Sequence, residues 1–198
     1  MSRRDDSPKA SRRVIYGTTH ICKKMTNEDP NNRTLILLRP NLDDLPTMSL
    51  PAGIAIRPYR TGDEATWTRL WQESETFDPI TDKAFRESYG HDEARLAERI
   101  CFAVDETTGQ DIGTVTAWTE ETPSKNHAGL DGWGRVHWLA TLPGYQGRGI
   151  GKALFLYCLY RLREFGHRET FLVTSSGRTA AVALYEKYGF HESIAGGG

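Results

Sequence analysis

A glycine-rich segment at residues 142–152 contains the residues whose types and spacing most clearly suggest chemistry. Its sequence is LPGYQGRGIGK, with glycine at positions 147, 149 and 151. Glycine leaves backbone N–H groups uncovered and tolerates torsions that other residues resist. A helical pattern follows from Ala153 to Phe165, so these amides are expected at a helix start, where unpaired N–H groups and the helix dipole attract anions. Arg148 and Lys152 add positive charge, and we predict a site for a pyrophosphate.

The spacing within this segment excludes two common phosphate-binding loops. A P-loop needs glycine in place of Gln146 and serine or threonine in place of Ala153. A dinucleotide fingerprint needs a glycine three residues after its second glycine, where this chain has Lys152 or Leu154, depending on the starting glycine. The remaining pattern has glutamine at 146 and glycine at 149 and 151, between a strand and a helix.

A second motif lies at residues 181–190, with the sequence AVALYEKYGF. Together, the two motifs resemble those of the GNAT superfamily of acyl-CoA-dependent N-acyltransferases, and the resemblance extends over about Ile54 to Phe190. It implies an α/β fold with a central mixed, mostly antiparallel twisted sheet, splayed at the CoA site and flanked by helices. It also implies that acetyl moves from acetyl-CoA to a primary amine by direct attack, with no metal.

The resemblance further implies which residues hold the coenzyme. The pantetheine arm is expected on the backbone of the preceding strand, at Leu139, Ala140 and Thr141. The diphosphate is expected on seven consecutive residues: Gln146, Gly147, Arg148, Gly149, Ile150, Gly151 and Lys152. Arg178 stands where the family commonly has asparagine, and its cation is a candidate contact for a CoA phosphate or for an acidic acceptor.

Tyr185 is the candidate proton donor. It matches the family tyrosine that lies near the thioester sulfur, where a phenol can protonate the departing CoA thiolate. The alternative is a core aromatic residue whose hydroxyl caps a neighbouring carbonyl.

The general base has several candidates. His137 lies in the strand before the glycine segment and has a suitable intrinsic pKa. Glu120 and Glu121 are rivals, acting directly or through water, and a water chain is a further route. Because side chains alternate along a strand, His137, Leu139 and Thr141 are expected to share one face.

The acceptor, a small-molecule or peptide amine, is expected near the loop after the first helix. The resembled family uses this loop to line the acceptor site, which makes Glu73, Glu75 and Asp78 candidates for contacting a cationic amine. Trp67 and Trp71 recur at helical spacing in that first helix, so we expect them in the core rather than stacked on a ligand.

The chain is expected to hold one domain. Residues 1–33 are polar and lack apolar periodicity, which predicts a disordered tail, and residues 34–198 are assigned to a single GNAT-like domain. Only residues 191–198 follow Phe190, so the strand pair that closes the sheet in the family lacks residues here. Either Thr34–Arg39 supplies a substitute strand or the acceptor pocket is left open.

Composition narrows the class of protein. A formal net charge of −1 argues against a nucleic-acid partner, and no apolar run approaches the ~20 residues that would span a membrane. The N-terminal arginines have no apolar core behind them, which argues against a secretory signal. Cys101 and Cys158 lie in apolar patterns, so we expect buried free thiols and a cytoplasmic protein, monomeric or homodimeric.

A hypothesis from another functional class competes with the enzymatic one. A catalytically weak CoA-binding regulatory or interaction module would keep the glycine segment and lose turnover. The short segment after Phe190 favours this alternative, whereas Tyr185 disfavours it.

Overall fold

A computed structural model describes residues 32–77, 79–119 and 129–193. The expectation of a tail at residues 1–33 therefore lies almost wholly outside the described residues. The elements in chain order are β1 (Thr34–Arg39), β2 (Ile54–Pro58), α1 (Glu64–Ser74), α2 (Ala84–Tyr89), α3 (Glu93–Arg99), β3 (Ile100–Asp105), β4 (Gln110–Trp118), β5 (Gly134–Thr141), α4 (Ile150–Glu164), β6 (Thr170–Ser175), α5 (Thr179–Lys187) and β7 (His191–Glu192).

The strands of the described chain form one twisted layer in the order β2-β3-β4-β5-β6-β1-β7. Every adjacent pair is antiparallel except β5 and β6, which run parallel. Helices α1 and α2 cover one face, where the Tyr89 hydroxyl lies 2.8 Å from Thr116 Oγ1 of β4. Helix α4 covers the other face, where Leu154 packs against Gly113 of β4. The mixed, mostly antiparallel α/β fold class is confirmed.

Strand β1 closes the sheet beside β6. The two strands pair along their whole length, from Thr34 opposite Ser175 to Arg39 opposite Thr170. Leu35 and Leu37 of β1 are buried in the core. The two residues of β7 pair only with the far edge of β1. Of the two expectations for how the sheet closes, the structure shows that Thr34–Arg39 supplies a strand beside β6.

Strands β5 and β6 pair only at their first residues and then diverge. Gly134 lies opposite Thr170 and Arg135 opposite Phe171, and no further pairing follows. At Gly134, β5 also approaches α4 so closely that an added Cβ would lie 2.9 Å from a methyl carbon of Leu162. Beyond this junction, the edge of β5 from residue 136 to residue 141 has no strand partner among the described residues. We call the space between the two diverging strands the cleft.

A β-bulge interrupts β5 beside the cleft. His137 pairs with Thr116 of β4 and Ala140 with Thr114, so two residues of β5 face a single residue of β4. Trp138 within the bulge has a φ of 52°, which is unusual for a residue with a side chain.

The bulge corrects one expectation from the sequence. Strict alternation predicted that His137, Leu139 and Thr141 share a face, and for His137 and Thr141 this is wrong. The extra residue shifts the alternation, so His137 and Ala140 lie on the α1 side. Thr141 lies on the α4 side, where its Oγ1 is 3.5 Å from the point that a Cβ on Gly151 would occupy.

Replacing a core residue of β1 tests its role as the closing strand. Leu37 is only 1% exposed. Leu37→Ala should lower the free energy of unfolding by about 2–5 kcal/mol, which corresponds to a fall in melting temperature of roughly 5–15 °C for a domain of this size. Thermal denaturation followed by circular dichroism measures the change. Ile36→Ala, at a half-buried position of the same strand, is the control. Equal losses in both variants would contradict the packing of β1.

Candidate active site

The glycine segment folds as a turn that leads directly into α4. A short 3₁₀ turn, Pro143–Tyr145, is followed by two glycines with positive φ, 74° at Gly147 and 82° at Gly149. Gly149 is the N-cap residue of α4 in the left-handed region, which costs a residue with a Cβ about 1–2 kcal/mol. The path of the backbone at this point therefore selects glycine.

Two side chains fix the turn to the sheet. The Tyr145 hydroxyl donates to Asp105 Oδ2 at 2.9 Å, and Gln146 Nε2 donates to the Thr141 carbonyl at 3.3 Å. The Thr107 backbone N–H and then the Tyr145 hydroxyl hold the pKa of Asp105 below its usual value, so its carboxylate stays ionised. The turn is thereby attached to the ends of β3 and β5.

Six consecutive backbone amides precede the first hydrogen bond of α4. Within the described chain, the N–H groups of residues 147–152 have no acceptor, and the Ala153 N–H is the first to bond, to the Gly149 carbonyl at 3.0 Å. Arg148 and Lys152 are exposed beside them, and neither forms an ion pair with a described residue. Unpaired donors, the positive end of a helix and two cations together fit a diphosphate.

The open edge of β5 lies next to this turn. Ala140 and Thr141 pair with β4 on one side, and their other side faces the cleft. Leu139 is half-buried between the bulge and Ala140. An unpaired strand edge can bind an extended chain through its backbone N–H and C=O groups, as the pantetheine prediction requires.

Tyr185 lies on α5 and is 7% exposed. Its ring packs against Phe155 of α4 and against Phe190, at 5.2 and 6.2 Å between ring centres. Burial raises the pKa of Tyr185 to about 12, although the positive charge of Arg178 opposes this rise. The hydroxyl makes no hydrogen bond to a described residue, so no carbonyl cap is present in that part of the chain. Tyr185 is therefore a protonated phenol at neutral pH.

His137 lies on the opposite face of β5 from Tyr185. Its half-buried ring is 5.7 Å from that of Tyr89 and 5.5 Å from that of Trp138. The structure therefore does not bring His137 and Tyr185 together. Glu120 and Glu121, its rivals as general base, lie outside the described residues, and their roles stay predictions.

Arg178 is already engaged by a carboxylate. Its guanidinium forms an ion pair with Glu75, whose side chain is only 4% exposed. Glu73, the second acceptor candidate, pairs with Arg69 at 3.1 Å on the exposed side of α1, and Asp78 lies outside the described residues. Sequence reasoning missed the pairing of Arg178 with Glu75, because 103 residues separate the two and neither segment carries a local signal for the other.

An aromatic cluster supports the bulge from the α1 side. The Trp138 ring makes edge contacts with Trp67 and Trp71, at 5.1 and 4.7 Å between ring centres. Trp67 is fully buried and Trp71 is 8% exposed, which confirms that both belong to the core. The indole N–H groups of all three tryptophans are buried without a hydrogen-bond partner in the described chain.

The Tyr185→Phe variant should lose less stability at alkaline pH than the wild type. The folded pKa is about 12, whereas tyrosine in an unfolded chain titrates near pH ~10. The unfolded state therefore loses its proton first, and stability falls as pH rises from 10 towards 12. The difference between the two proteins should amount to about 1 kcal/mol between pH ~9 and pH ~11. Urea unfolding at both pH values measures it, and parallel losses in the two proteins would contradict the buried phenol.

Two properties of the described residues bear on partners. No helix among them is long and apolar enough to cross a membrane. They also contain no group of three or more His, Cys, Asp or Glu side chains placed to hold a metal ion.

Curated proteins that are similar to this chain include several mycothiol acetyltransferases. A mycothiol acetyltransferase from Geodermatophilus obscurus is 30% identical over 171 residues, covering 80% of this chain and 52% of that protein. One from Renibacterium salmoninarum is 33% identical over 165 residues, covering 80% of this chain and 47% of that protein. The chain thus spans about half the length of these curated relatives.

Solved structures agree on the fold. A GCN5-related N-acetyltransferase from Sphaerobacter thermophilus matches with a TM-score of 0.66 at 24% identity, over 82% of this chain and 48% of that one. The ribosomal-protein-S18-alanine N-acetyltransferase of Escherichia coli matches with a TM-score of 0.56 at 21% identity, over 71% and 79% of the two chains. The model of the Acetyltransferase (GNAT) family matches residues 64–190, which include the glycine turn and Tyr185, and the chain belongs to this family.

Proposed function

We propose that this chain is an acetyl-CoA-dependent N-acetyltransferase that moves acetyl to a primary amine by direct attack. The observation that carries the proposal is the run of unpaired amides at residues 147–152 beside the open edge of β5. Family membership supports it, because GNAT proteins generally use acetyl-CoA.

The coenzyme binds through backbone groups in this proposal. The amides of residues 147–152 hold the diphosphate, with Arg148 and Lys152 supplying charge. Gln146 positions the turn through its bond to the Thr141 carbonyl. The pantetheine arm lies along the edge formed by Leu139, Ala140 and Thr141, as an added strand would.

The reaction is an acyl transfer. The neutral amine nitrogen attacks the thioester carbonyl carbon, and the carbon–sulfur bond breaks. The attacking nitrogen releases its surplus proton to water, which leaves an amide and a CoA thiolate. Backbone N–H groups near Leu139 or Ala140 stabilise the oxyanion. One proton leaves the ammonium before attack, taken by His137, by Glu120 or by a water chain.

Tyr185 assists the leaving group. A free thiol has a pKa of about 8.5, below that of the buried Tyr185 phenol, so complete transfer of the phenolic proton is uphill. We therefore assign Tyr185 the role of hydrogen-bond donor to the developing thiolate, with water completing the protonation. The positive charge of Arg178 lowers the pKa of Tyr185 and makes it a better donor.

The acceptor class is taken from the relatives. Several curated relatives are named mycothiol acetyltransferase, which makes mycothiol-related amines the first acceptors to test. We also infer a cytoplasmic setting, supported by the two buried free thiols Cys101 and Cys158.

Binding of acetyl-CoA is tested first, and turnover is tested second. Isothermal titration should show acetyl-CoA binding with a micromolar dissociation constant. A free-thiol assay should then detect release of CoA with a mycothiol-related amine, compared with glucosamine, spermidine and a peptide that begins with alanine. Binding without turnover of any amine would favour the CoA-binding module, and absence of binding would contradict both functions.

Tyr185→Phe should lower kcat by about 10²-fold and leave acetyl-CoA affinity unchanged, because the hydroxyl acts only on the developing thiolate. Tyr188→Phe is the control, because Tyr188 follows Tyr185 at the end of α5. Its ring also packs against that of Phe155, at 5.9 Å between ring centres. An unchanged kcat in Tyr185→Phe would contradict the donor role.

Gly149→Ala tests the amide cradle. A Cβ at a φ of 82° costs about 1–2 kcal/mol, and relief of that strain turns the amides away from the ligand. Acetyl-CoA affinity measured by titration should fall about tenfold. Gly144→Ala in the 3₁₀ turn is the matched control, because its φ is not positive and an added Cβ meets no atom within 4 Å. Equal affinity in both variants would place the coenzyme elsewhere.

A further inference from the structure

The ion pair between Glu75 and Arg178 joins two elements on opposite sides of the cleft. Glu75 begins the loop after α1, and Arg178 is the N-cap residue of α5, just beyond the end of β6. Because β5 and β6 pair at their first residues and diverge towards their last, the end of β6 lies at the open end of the cleft. The pair is therefore a link across that opening.

Both carboxylate oxygens of Glu75 accept hydrogen bonds within the protein. Oε1 accepts the backbone N–H groups of Thr76 and Phe77, at 2.9 and 2.7 Å, and Oε2 accepts a hydrogen bond from Arg178. With its side chain 4% exposed, Glu75 has no acceptor capacity turned to solvent. This arrangement is unsuited to binding the ammonium of an acceptor directly and is suited to shaping the loop.

Arg178 fixes the other side of the link. Its guanidinium lies over the Phe77 ring at 5.0 Å, and its Nη1 donates to Ser175 Oγ at 3.4 Å. Gly177 approaches the same ring so closely that an added Cβ would lie 3.2 Å from Phe77 Cε1. The loop after α1 and the start of α5 are thus packed together by charge, by ring contact and by close backbone approach.

The link spans the two diverging halves of the sheet. Helix α1 is fixed to β5 through the contact of Trp71 with Trp138 in the bulge. Helix α5 follows β6 directly along the chain. Without the Glu75–Arg178 pair, the loop after α1 would be joined to the β6 side only through the packing of Phe77 against Arg178 and Gly177.

We propose that Glu75 is a positioning residue for the acceptor amine, because it holds the loop after α1 against Arg178 and so fixes one wall of the cleft through which the amine reaches the thioester. The proposal rests on the proposed acetyl transfer. It assigns Arg178 to that wall instead of to a coenzyme phosphate.

The first test compares Glu75→Gln with Glu87→Gln. The glutamine at position 75 keeps a carbonyl oxygen for the Thr76 and Phe77 amides but removes the charge that binds Arg178. Glu87 is exposed on α2 and forms no ion pair with a described residue, so its variant is the control. Hydrogen–deuterium exchange should accelerate several-fold in Glu75→Gln, both in the loop after α1 and at the start of α5.

The kinetic test distinguishes an effect on binding of the acceptor amine from an effect on binding of the coenzyme. In Glu75→Gln, the KM for the best amine of the panel should rise several-fold, with kcat changed less and the acetyl-CoA dissociation constant unchanged. Arg178→Lys keeps the charge but not the planar contact with Phe77, so it should restore part of the affinity that Arg178→Met loses. The double variant Glu75→Gln/Arg178→Met leaves no unpaired buried charge, and it guards against misfolding of the single variants.

Three outcomes would overturn the proposal. Exchange unchanged at the start of α5 in Glu75→Gln would show that no link exists. Weaker acetyl-CoA binding in Arg178→Met with an unchanged amine KM would place Arg178 on the coenzyme. Failure of the wild type to acetylate any amine would remove the acceptor role and the proposed function together, whereas accelerated exchange would still establish the link.

Discussion

The unpaired amides at the start of α4 are the constraint on which the rest of the site depends. A helix start always leaves N–H groups without intrahelical partners, but a capping side chain commonly accepts a hydrogen bond from one of them. In this chain Gly149 occupies the N-cap position and offers no side-chain acceptor. The donors at residues 147–152 thus stay open, and the two anchors from Tyr145 and Gln146 hold the turn without consuming those donors.

The divergence of β5 and β6 makes one sheet serve two purposes. At Gly134 and Arg135, β5 pairs with β6, and this end holds the sheet together. Towards Thr141 the strand has a partner on one side only, which leaves a hydrogen-bonding edge beside the amide turn. The bulge at Trp138 adds a second effect, because it turns the indole ring onto α1 while Thr141 faces α4.

Residue spacing and apolar patterning in the sequence predict those elements whose structure depends mainly on neighbouring residues. The glycine segment, the strand at residues 34–39 and the core positions of Trp67 and Trp71 follow from spacing and apolar patterning, whereas the closing role of that strand was one of two alternatives. The helical pattern predicts a start at Ala153, whereas α4 begins at Ile150, because the helical backbone follows immediately after the N-cap glycine.

Tertiary effects account for what the sequence could not predict. The bulge depends on the register between β4 and β5. Tryptophan is not typical of a positive φ, so the sequence of β5 does not predict one at Trp138. The pairing of Glu75 with Arg178 depends on packing between distant segments, so the sequence alone predicts a separate ligand-binding role for each side chain.

The position of β1 between β6 and β7 has a consequence for how the chain assembles. The first strand of the domain can pair only with strands near the other end, with Thr34 opposite Ser175 and Leu38 opposite His191. Contacts so distant in sequence form slowly, because a long loop must close before they give any stabilisation. During synthesis on the ribosome, Leu35 and Leu37 therefore leave the exit tunnel early. They stay unpaired until β6 and β7 have also been synthesised. The apolar side chains of β1 are exposed during that interval, and exposed apolar surface of this kind favours aggregation.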